Sequence, residues 1–313
     1  MTGLPAVART RADGRTNPPA FIIGAPRSGT SLLYKLLCMH PDAAWISNWN
    51  RLAPAAVHLG ALTRLSRRLP ARRRAVWFGA DSNAYVYGRR RSLADRVFPM
   101  PVEGEPLFVR CGLPLELRSL DEVSPASVSA LRRMFDRLQR YGGGSIVVSK
   151  RIANNYRIPA LLAAFPEARF VHLVRDGRAV APSLRKVDWW PDSLVPWYGD
   201  TPTAWEEAGG DPWEIAAREW VEEILAVERG LESASADQVL TVQYETLVSS
   251  ATESLDTIAS FVGLEPDARW RAEVASFDFS NRAEAGDGHL SADVRDRIEQ
   301  WQRSVLERYG YVV

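Results

Sequence analysis

Phe21-Ile22-Ile23-Gly24-Ala25-Pro26-Arg27-Ser28-Gly29-Thr30-Ser31-Leu32-Leu33 is the stretch whose reading decides the fold. Residues 21–24 have the pattern of a short buried strand, and 25–29 read as a turn. Residues 30–39 read as a helix with Leu32, Leu33, Leu36 and Leu37 on one face, stopped at His40-Pro41-Asp42. A glycine-bearing turn that opens a helix points backbone N–H groups into one concavity, and the helix dipole adds partial positive charge there. The pair Gly24 and Gly29 has the G-x-x-x-x-G spacing of a phosphate-cradling loop. The lysine expected after the second glycine is absent: Thr30 stands there, and the positive charge lies inside the loop at Arg27. An ordinary nucleotide triphosphatase is hard to build without that lysine.

Working outward, the same grammar recurs. Gly142-Gly143-Gly144 precedes an apolar strand at 145–148, with Lys150 at its end. A helix follows at 158–165, then a strand at 169–174, a helix from Asp176, a tryptophan-rich loop and a long acidic amphipathic helix at 213–233. A fourth strand is expected at 239–242, with helices at 252–262 and 291–309. Strands alternating with helices imply an α/β fold: a P-loop-like parallel sheet of four or five strands, flanked by helices on both faces. Residues 1–19 read as a disordered arm and 20–313 as a single domain. Residues 46–144 form an irregular, mainly helical insertion.

Composition limits what such a domain does. The chain has 313 residues, 46% of them apolar and 25% charged, which is enough material for a large core. No apolar run is long enough for a membrane helix, and residues 1–20 lack the apolar stretch of a secretory signal. Cys38 and Cys111 cannot make a disulfide framework, and no histidine sits at metal-ligand spacing with cysteine or aspartate, so no metal is expected and the expected location is the reducing cytoplasm.

Charge is balanced overall at +1 but not along the chain. Residues 51–100 hold 11 Arg against two Asp, whereas residues 200–300 hold 23 acids against seven Arg. The acidic stretch is expected to be solvated helix faces, while the basic stretch leaves an anionic partner open. No nucleic-acid reader motif accompanies the arginines. Only Lys35, Lys150 and Lys186 are lysines, so each is a candidate for a place where a compact point charge matters.

Pro26-Arg27-Ser28-Gly29-Thr30-Ser31-Leu32-Leu33, followed by His40-Pro41-Asp42, resembles the 5′-phosphosulfate loop of sulfotransferases that use 3′-phosphoadenosine 5′-phosphosulfate (PAPS), in particular the bacterial branch and the tyrosylprotein sulfotransferases. A second match is the strand ending Val174-Arg175-Asp176-Gly177-Arg178 with Ser183 eight residues after Arg175. The resemblance implies that Arg27, Ser28, Gly29, Thr30 and Ser31 bind the 5′-phosphosulfate and that Arg175 and Ser183 bind the 3′-phosphate. An arginine fork and a hydroxyl two turns into the next helix can reach one phosphate. Arg-Asp-Gly-Arg taken alone would be a helix-start salt bridge. Gln243-Tyr244-Glu245-Thr246-Leu247 is similar to the family's strand-end element, which implies that Tyr244 lines the cofactor site, although a core tyrosine reads equally well. A loop around 280–291 would cover the cofactor. The resemblance spans residues 20–45 and 145–263 and the Tyr309-Gly310-Tyr311 ending.

The activity so implied moves a sulfonate from PAPS to an acceptor hydroxyl by in-line displacement, leaving adenosine 3′,5′-bisphosphate (PAP). Lys150 and Arg27 would stabilise the moving charge. A base must come from Glu, Asp or His. The glutamate that tyrosylprotein sulfotransferases carry soon after the His-Pro-Asp segment is missing from residues 45–50. Met100-Pro101-Val102-Glu103-Gly104 resembles an element of other bacterial members, so Glu103 is the first choice, Glu105 the second, and Glu116 and His58 weaker ones. His172, on a buried strand, reads as a core histidine. The acceptor stays open among small molecules, lipids and glycans bearing a hydroxyl, with the insertion covering its site and Trp49, Trp77, Trp189 and Trp190 as candidate walls. Peripheral membrane contact and oligomeric state are open too. Two other readings stand beside this one, a P-loop small-molecule kinase and a non-catalytic PAP-binding protein.

Overall fold

The computed structural model describes residues 17–78, 92–114, 123–265, 267–277, 279 and 290–312. Most of the arm, Glu116 and nearly all of the loop at 280–291 lie outside these.

The chain runs β1 (Ala20–Ile23), α1 (Thr30–Cys38), β2 (Ala43–Ala44), α2 (Asn48–Leu52), a 3-10 turn (Val57–Leu62), α3 (Thr63–Arg68), α4 (Pro70–Phe78), α5 (Leu93–Val97), α6 (Glu105–Arg110) and α7 (Pro125–Gly142). It continues through β3 (Ile146–Lys150), α8 (Ile158–Ala164), β4 (Arg169–Val174), α9 (Gly177–Arg185), α10 (Pro202–Glu207) and α11 (Pro212–Leu231). The last elements are β5 (Val239–Gln243), α12 (Tyr244–Ser249), α13 (Ala251–Val262), α14 (Ala268–Ala275) and α15 (Ala292–Arg308).

The five strands form one sheet in the order β2-β3-β1-β4-β5, and every pairing is parallel. The order reverses at β1, so the loops leaving the carboxyl ends of β1, β3 and β4 converge over one crevice, where ligands of open α/β sheets sit. Alternation along β1 explains how both faces are covered. Ala20 and Ile22 join Val148, Val171 and Leu173 under α1, α13 and α14. Phe21 and Ile23 join Val147 and Phe170 under α7 and α8. The Phe21 ring centroid lies 5.6 Å from those of Phe135 and Phe170. A third layer, α11 against α9 and α15, is rich in aromatics contributed by the loop after α9.

Four features differ from the sequence reading. β3 extends to Lys150 because all five of its positions are buried, which puts the lysine on the strand itself. The two-residue β2, too short to carry a periodic pattern, adds the edge strand by pairing Ala43 with Ile146 and Ala44 with Val147. Trp77 is no acceptor wall: it is fully buried, its indole N–H donates to Pro99 O at 2.8 Å, and Trp45 packs edge-on against it. The acidic stretch is not all solvated face, since Glu219 and Glu223 of α11 are buried against the segment after β3. Part of the basic stretch is likewise structural. Arg67 donates to the carbonyls of Ala43 and Gly143, and buried Arg73 pairs with Glu273.

Candidate active site

The loop from Gly24 to Gly29 is fixed at three points. Gly24 has φ +143°, and a Cβ there would lie 2.3 Å from the Leu173 carbonyl oxygen, so β4 crosses against bare backbone. Its N–H donates to Asn155 Oδ1 at 3.1 Å, and its carbonyl accepts from Asn155 Nδ2 at 3.0 Å. Gly29, at φ +89°, precedes α1; a Cβ there would sit 2.4 Å from the Tyr244 ring. Between them Arg27 has φ +68°, the one positive φ of a non-glycine residue among the described residues. Such strain persists only where the surroundings enforce it, and it marks functional loops.

The loop aims donors at one place. No side chain caps α1, and while the Leu32 N–H donates to the Gly29 carbonyl at 2.9 Å, the N–H groups of Thr30 and Ser31 are left open. The Ser28 hydroxyl is buried with no hydrogen-bond partner. Arg27 Nε donates to Ser183 Oγ at 3.0 Å, and Arg175 Nη1 donates to the Arg27 carbonyl at 3.2 Å. The Arg175 guanidinium also stacks 4.6 Å from the centroid of the Tyr244 ring. Arg27, Arg175, Ser183 and Tyr244, drawn from the ends of three strands and from α9, thus form one cluster. The sequence reading divided Arg27 and Ser183 between two phosphates, whereas here they touch. Tyr244 is buried as well, so it serves both core and cluster. The neighbouring Asp176 is the helix-start salt bridge, capping α9 and pairing with Arg178 at 2.7 Å, which leaves Arg175 to the loop.

Lys150 meets Glu103 beside the loop. Lys150 Nζ lies 2.5 Å from Glu103 Oε1, and Glu103 Oε2 accepts the Ile152 N–H at 3.2 Å. Ser47 bridges to Pro101 and the Val102 N–H donates to Ile46 O, so the Glu103 segment runs along the chain leaving β2. Gly104, at φ +73° with Ile46 filling the space of its missing Cβ, turns the chain into α6. Glu105 is held elsewhere: it makes a two-pronged pair with buried Arg151 at 2.5 and 2.6 Å. His58 stacks edge-on with Tyr141 and does not line the cleft, and His172 is buried edge-on to Tyr309. Burial alone pushes the His172 imidazole down to about 4.

A cleft of about 1230 Å³ opens from Pro26 and Glu103. One wall is aromatic, with Trp189, Trp190, Trp197, Tyr198 and Tyr156; Trp49 is not part of it. Glu219, Glu222 and Glu223 of α11 line it as well. Burial raises both the Glu219 and the Glu223 carboxyls, and the charge of Glu223 raises Glu219 further; the Asn155 hydrogen bond at 2.5 Å works against the shift at Glu223. Asn155 therefore joins the cleft floor to the loop backbone. Sequence reasoning missed Asn155 and the buried glutamates. The only signal for the pair was their spacing of four along α11, which sets them on one helix face.

This donor set suits a doubly anionic group. It offers an orphaned buried hydroxyl, open N–H groups at a helix start, two guanidinium groups and an ammonium, and the residue that directly follows β4 is Arg175, with Asp176 turned to cap α9 and pair with Arg178. Comparison with known proteins agrees. The chain matches the family described as "Sulfotransferase family" over residues 18–268. It is 23% identical over 317 residues to the omega-hydroxy-beta-dihydromenaquinone-9 sulfotransferases Stf3 of Mycobacterium bovis and Mycobacterium tuberculosis, covering 94% of this chain and 76% of theirs. Its fold is similar to that of the sulfotransferase STF9 from Mycobacterium avium, with a TM-score of 0.59 and 16% identity over 96% of this chain and 79% of the other. The sulfotransferase STF1 from Mycobacterium tuberculosis gives a TM-score of 0.51 and 16% identity over 92% and 77% of the two chains.

Proposed function

The chain belongs to the sulfotransferase family and is an enzyme, and from that premise we propose that it transfers a sulfonate from PAPS to an acceptor hydroxyl in line, releasing PAP. The observation that carries this is the Lys150–Glu103 pair at 2.5 Å, whose Glu103 lines the aromatic cleft together with Pro26 of the phosphate loop. Arg27, the Ser28 hydroxyl, the Gly29 turn and the N–H groups of Thr30 and Ser31 would hold the 5′-phosphosulfate. Arg175 and Ser183 would hold the 3′-phosphate, with Tyr244 against them.

In the reaction the acceptor hydroxyl gives its proton to the Glu103 carboxylate as its oxygen bonds to sulfur. The bond from sulfur to the 5′-phosphate oxygen breaks, and PAP leaves with that electron pair. Charge grows on the leaving oxygen and the sulfonate, where Lys150 and Arg27 stabilise it. A carboxylate held by an ammonium is a poor base. Lys150 must therefore release Glu103 as substrates enter, which couples donor binding to activation of the base. A cleft of about 1230 Å³ walled by tryptophans suits a bulky apolar acceptor bearing a hydroxyl better than a compact sugar. The hydroxylated menaquinone in the names of the Stf3 relatives is such a molecule. Residues 20–313 would then work as one unit, with residues 46–144 contributing Glu103 and Glu105 to the cleft, whose other lining residues are Pro26 and residues between 151 and 230. Cys38 and Cys111 are both buried and unpaired, which fits a cytoplasmic location.

The test is turnover of sulfur-labelled PAPS against a panel of polyprenyl alcohols, quinols, phenols and sugars. Label transfer to an apolar alcohol that is lost in Glu103→Gln supports the reading. Transfer that persists at the wild-type rate in this variant refutes Glu103 as the base.

A further inference from the structure

The insertion carries a surface that the active site does not use. Six of the eleven large apolar side chains exposed among the described residues lie between Leu52 and Val97: Leu52, Leu62, Leu65, Leu69, Leu93 and Val97. Their exposure runs from 38% at Leu62 and 45% at Leu65 and Leu69 to 79% at Leu93. Leu62 ends the 3-10 turn, Leu65 follows three residues on in α3, and Leu69 is the residue that closes α3 just before α4, so the three lie along one short exposed segment. The other carriers are tied beside it. Trp49 of α2 donates to the Val97 carbonyl at 2.8 Å, Asn48 donates to the Arg96 carbonyl at 3.0 Å, and Arg72 of α4 pairs with Asp95 of α5 at 2.5 Å.

The charge on the described residues of this face is almost all positive. Residues 46–78 contain seven arginines and no aspartate or glutamate. Arg67 and Arg73 are turned inward onto carbonyls and Glu273, whereas Arg51, Arg68 and Arg96 are exposed among the leucines. In residues 92–102 the sole carboxylate is Asp95, and it is neutralised by Arg72. Exposed leucines interleaved with arginines, with no unneutralised carboxylate among the described residues 46–78 and 92–102, match the makeup of helices that lie in the headgroup layer of anionic lipid. A soluble protein partner would not need the charge to be uniform, and nucleic acid would not be met by leucines.

We propose that this face of the insertion, centred on Leu62, Leu65 and Leu69, seats the enzyme on an anionic lipid surface. The proposal stands apart from the identity of the acceptor, since it rests on the surface of the insertion alone. It does give the insertion a second use: α2 is capped by Ser47, whose partner Pro101 is two residues from Glu103, so the docked face and the base share one short segment.

Co-sedimentation of the full chain with vesicles tests it. One set is phosphatidylcholine alone and the other equal parts phosphatidylcholine and phosphatidylglycerol. The wild type is expected to sediment with the anionic set, less so as salt is raised, and to ignore the neutral set. Leu65→Glu with Leu69→Glu should weaken binding by about tenfold or more. Arg51→Glu with Arg68→Glu should weaken it by roughly fivefold or more per arginine. Affinity for PAP, read by calorimetry, should stay unchanged in both variants and reports on folding. Failure of the wild type to bind anionic vesicles, or equal binding by the leucine variant, overturns the proposal. So does a concentration-dependent dimer in sedimentation velocity that the leucine variant abolishes, because the face would then be a contact between copies.

Discussion

Lys150 and Glu103, 47 residues apart in sequence, meet at 2.5 Å at the carboxyl end of β3, where the phosphate loop and the aromatic cleft adjoin. In the proposed reaction this cation and this base hold each other until substrates separate them. Glu103→Gln keeps the shape and removes the base. It is expected to lower kcat by roughly 10²–10⁴-fold while PAP affinity changes little. Single-turnover kinetics beside PAP calorimetry separates the two effects.

Gly29 is a backbone requirement. At φ +89° and 2.4 Å from the Tyr244 ring, an added Cβ meets both strain and a ring. Gly29→Ala should cost about 1–3 kcal/mol of stability and abolish measurable PAP binding. Adding Tyr244→Ala relieves the clash but not the φ, so the double variant should recover some stability in thermal unfolding without recovering PAP binding.

Asn155 links the loop to the cleft floor through Gly24 and Glu223. Asn155→Ala strips both partners from Gly24 and removes one hydrogen bond from the buried Glu223 carboxyl. A loss of about 2–4 kcal/mol is expected from chemical denaturation. Glu223→Gln leaves an oxygen that can still accept from Asn155 and should cost far less.

The pH response has a sign. Burial lowers the His172 imidazole from 6.5 to about 4, so the unfolded chain binds this proton first. The stability it contributes is full above pH 6.5 and is lost as pH falls toward 4, amounting to about 3 kcal/mol. The wild-type melting temperature should fall over this window, and His172→Phe should flatten it. Glu219 and Glu223 act oppositely: their raised carboxyls give stability that is present below 4.5 and lost as pH rises. Glu223→Gln should therefore gain on wild type toward neutral pH.

What could be read in the sequence was local. The strand, the Gly24–Gly29 loop and the helix are contiguous, and each signals its own conformation. Lys150 and Arg175 were legible because strand ends face the crevice of a parallel sheet. Glu103 was legible only through its short motif. Hidden were the contacts that join distant residues: Asn155 reaches Gly24 across 131 positions, and Arg151 reaches Glu105 across 46. The glutamates of α11 looked like solvent-facing charge because amphipathic periodicity says which residues share a face, not what that face meets. Trp77 misled for a like reason, since a tryptophan in a basic, irregular segment gives no sign of being enclosed.

The most direct measurement is calorimetric titration of PAP into the wild type and Arg175→Ala, beside ATP with magnesium. Tight, metal-independent PAP binding, weakened about 10–100-fold by the substitution, is the predicted result. Indifference to PAP together with binding of magnesium-ATP would contradict the account and point to a kinase.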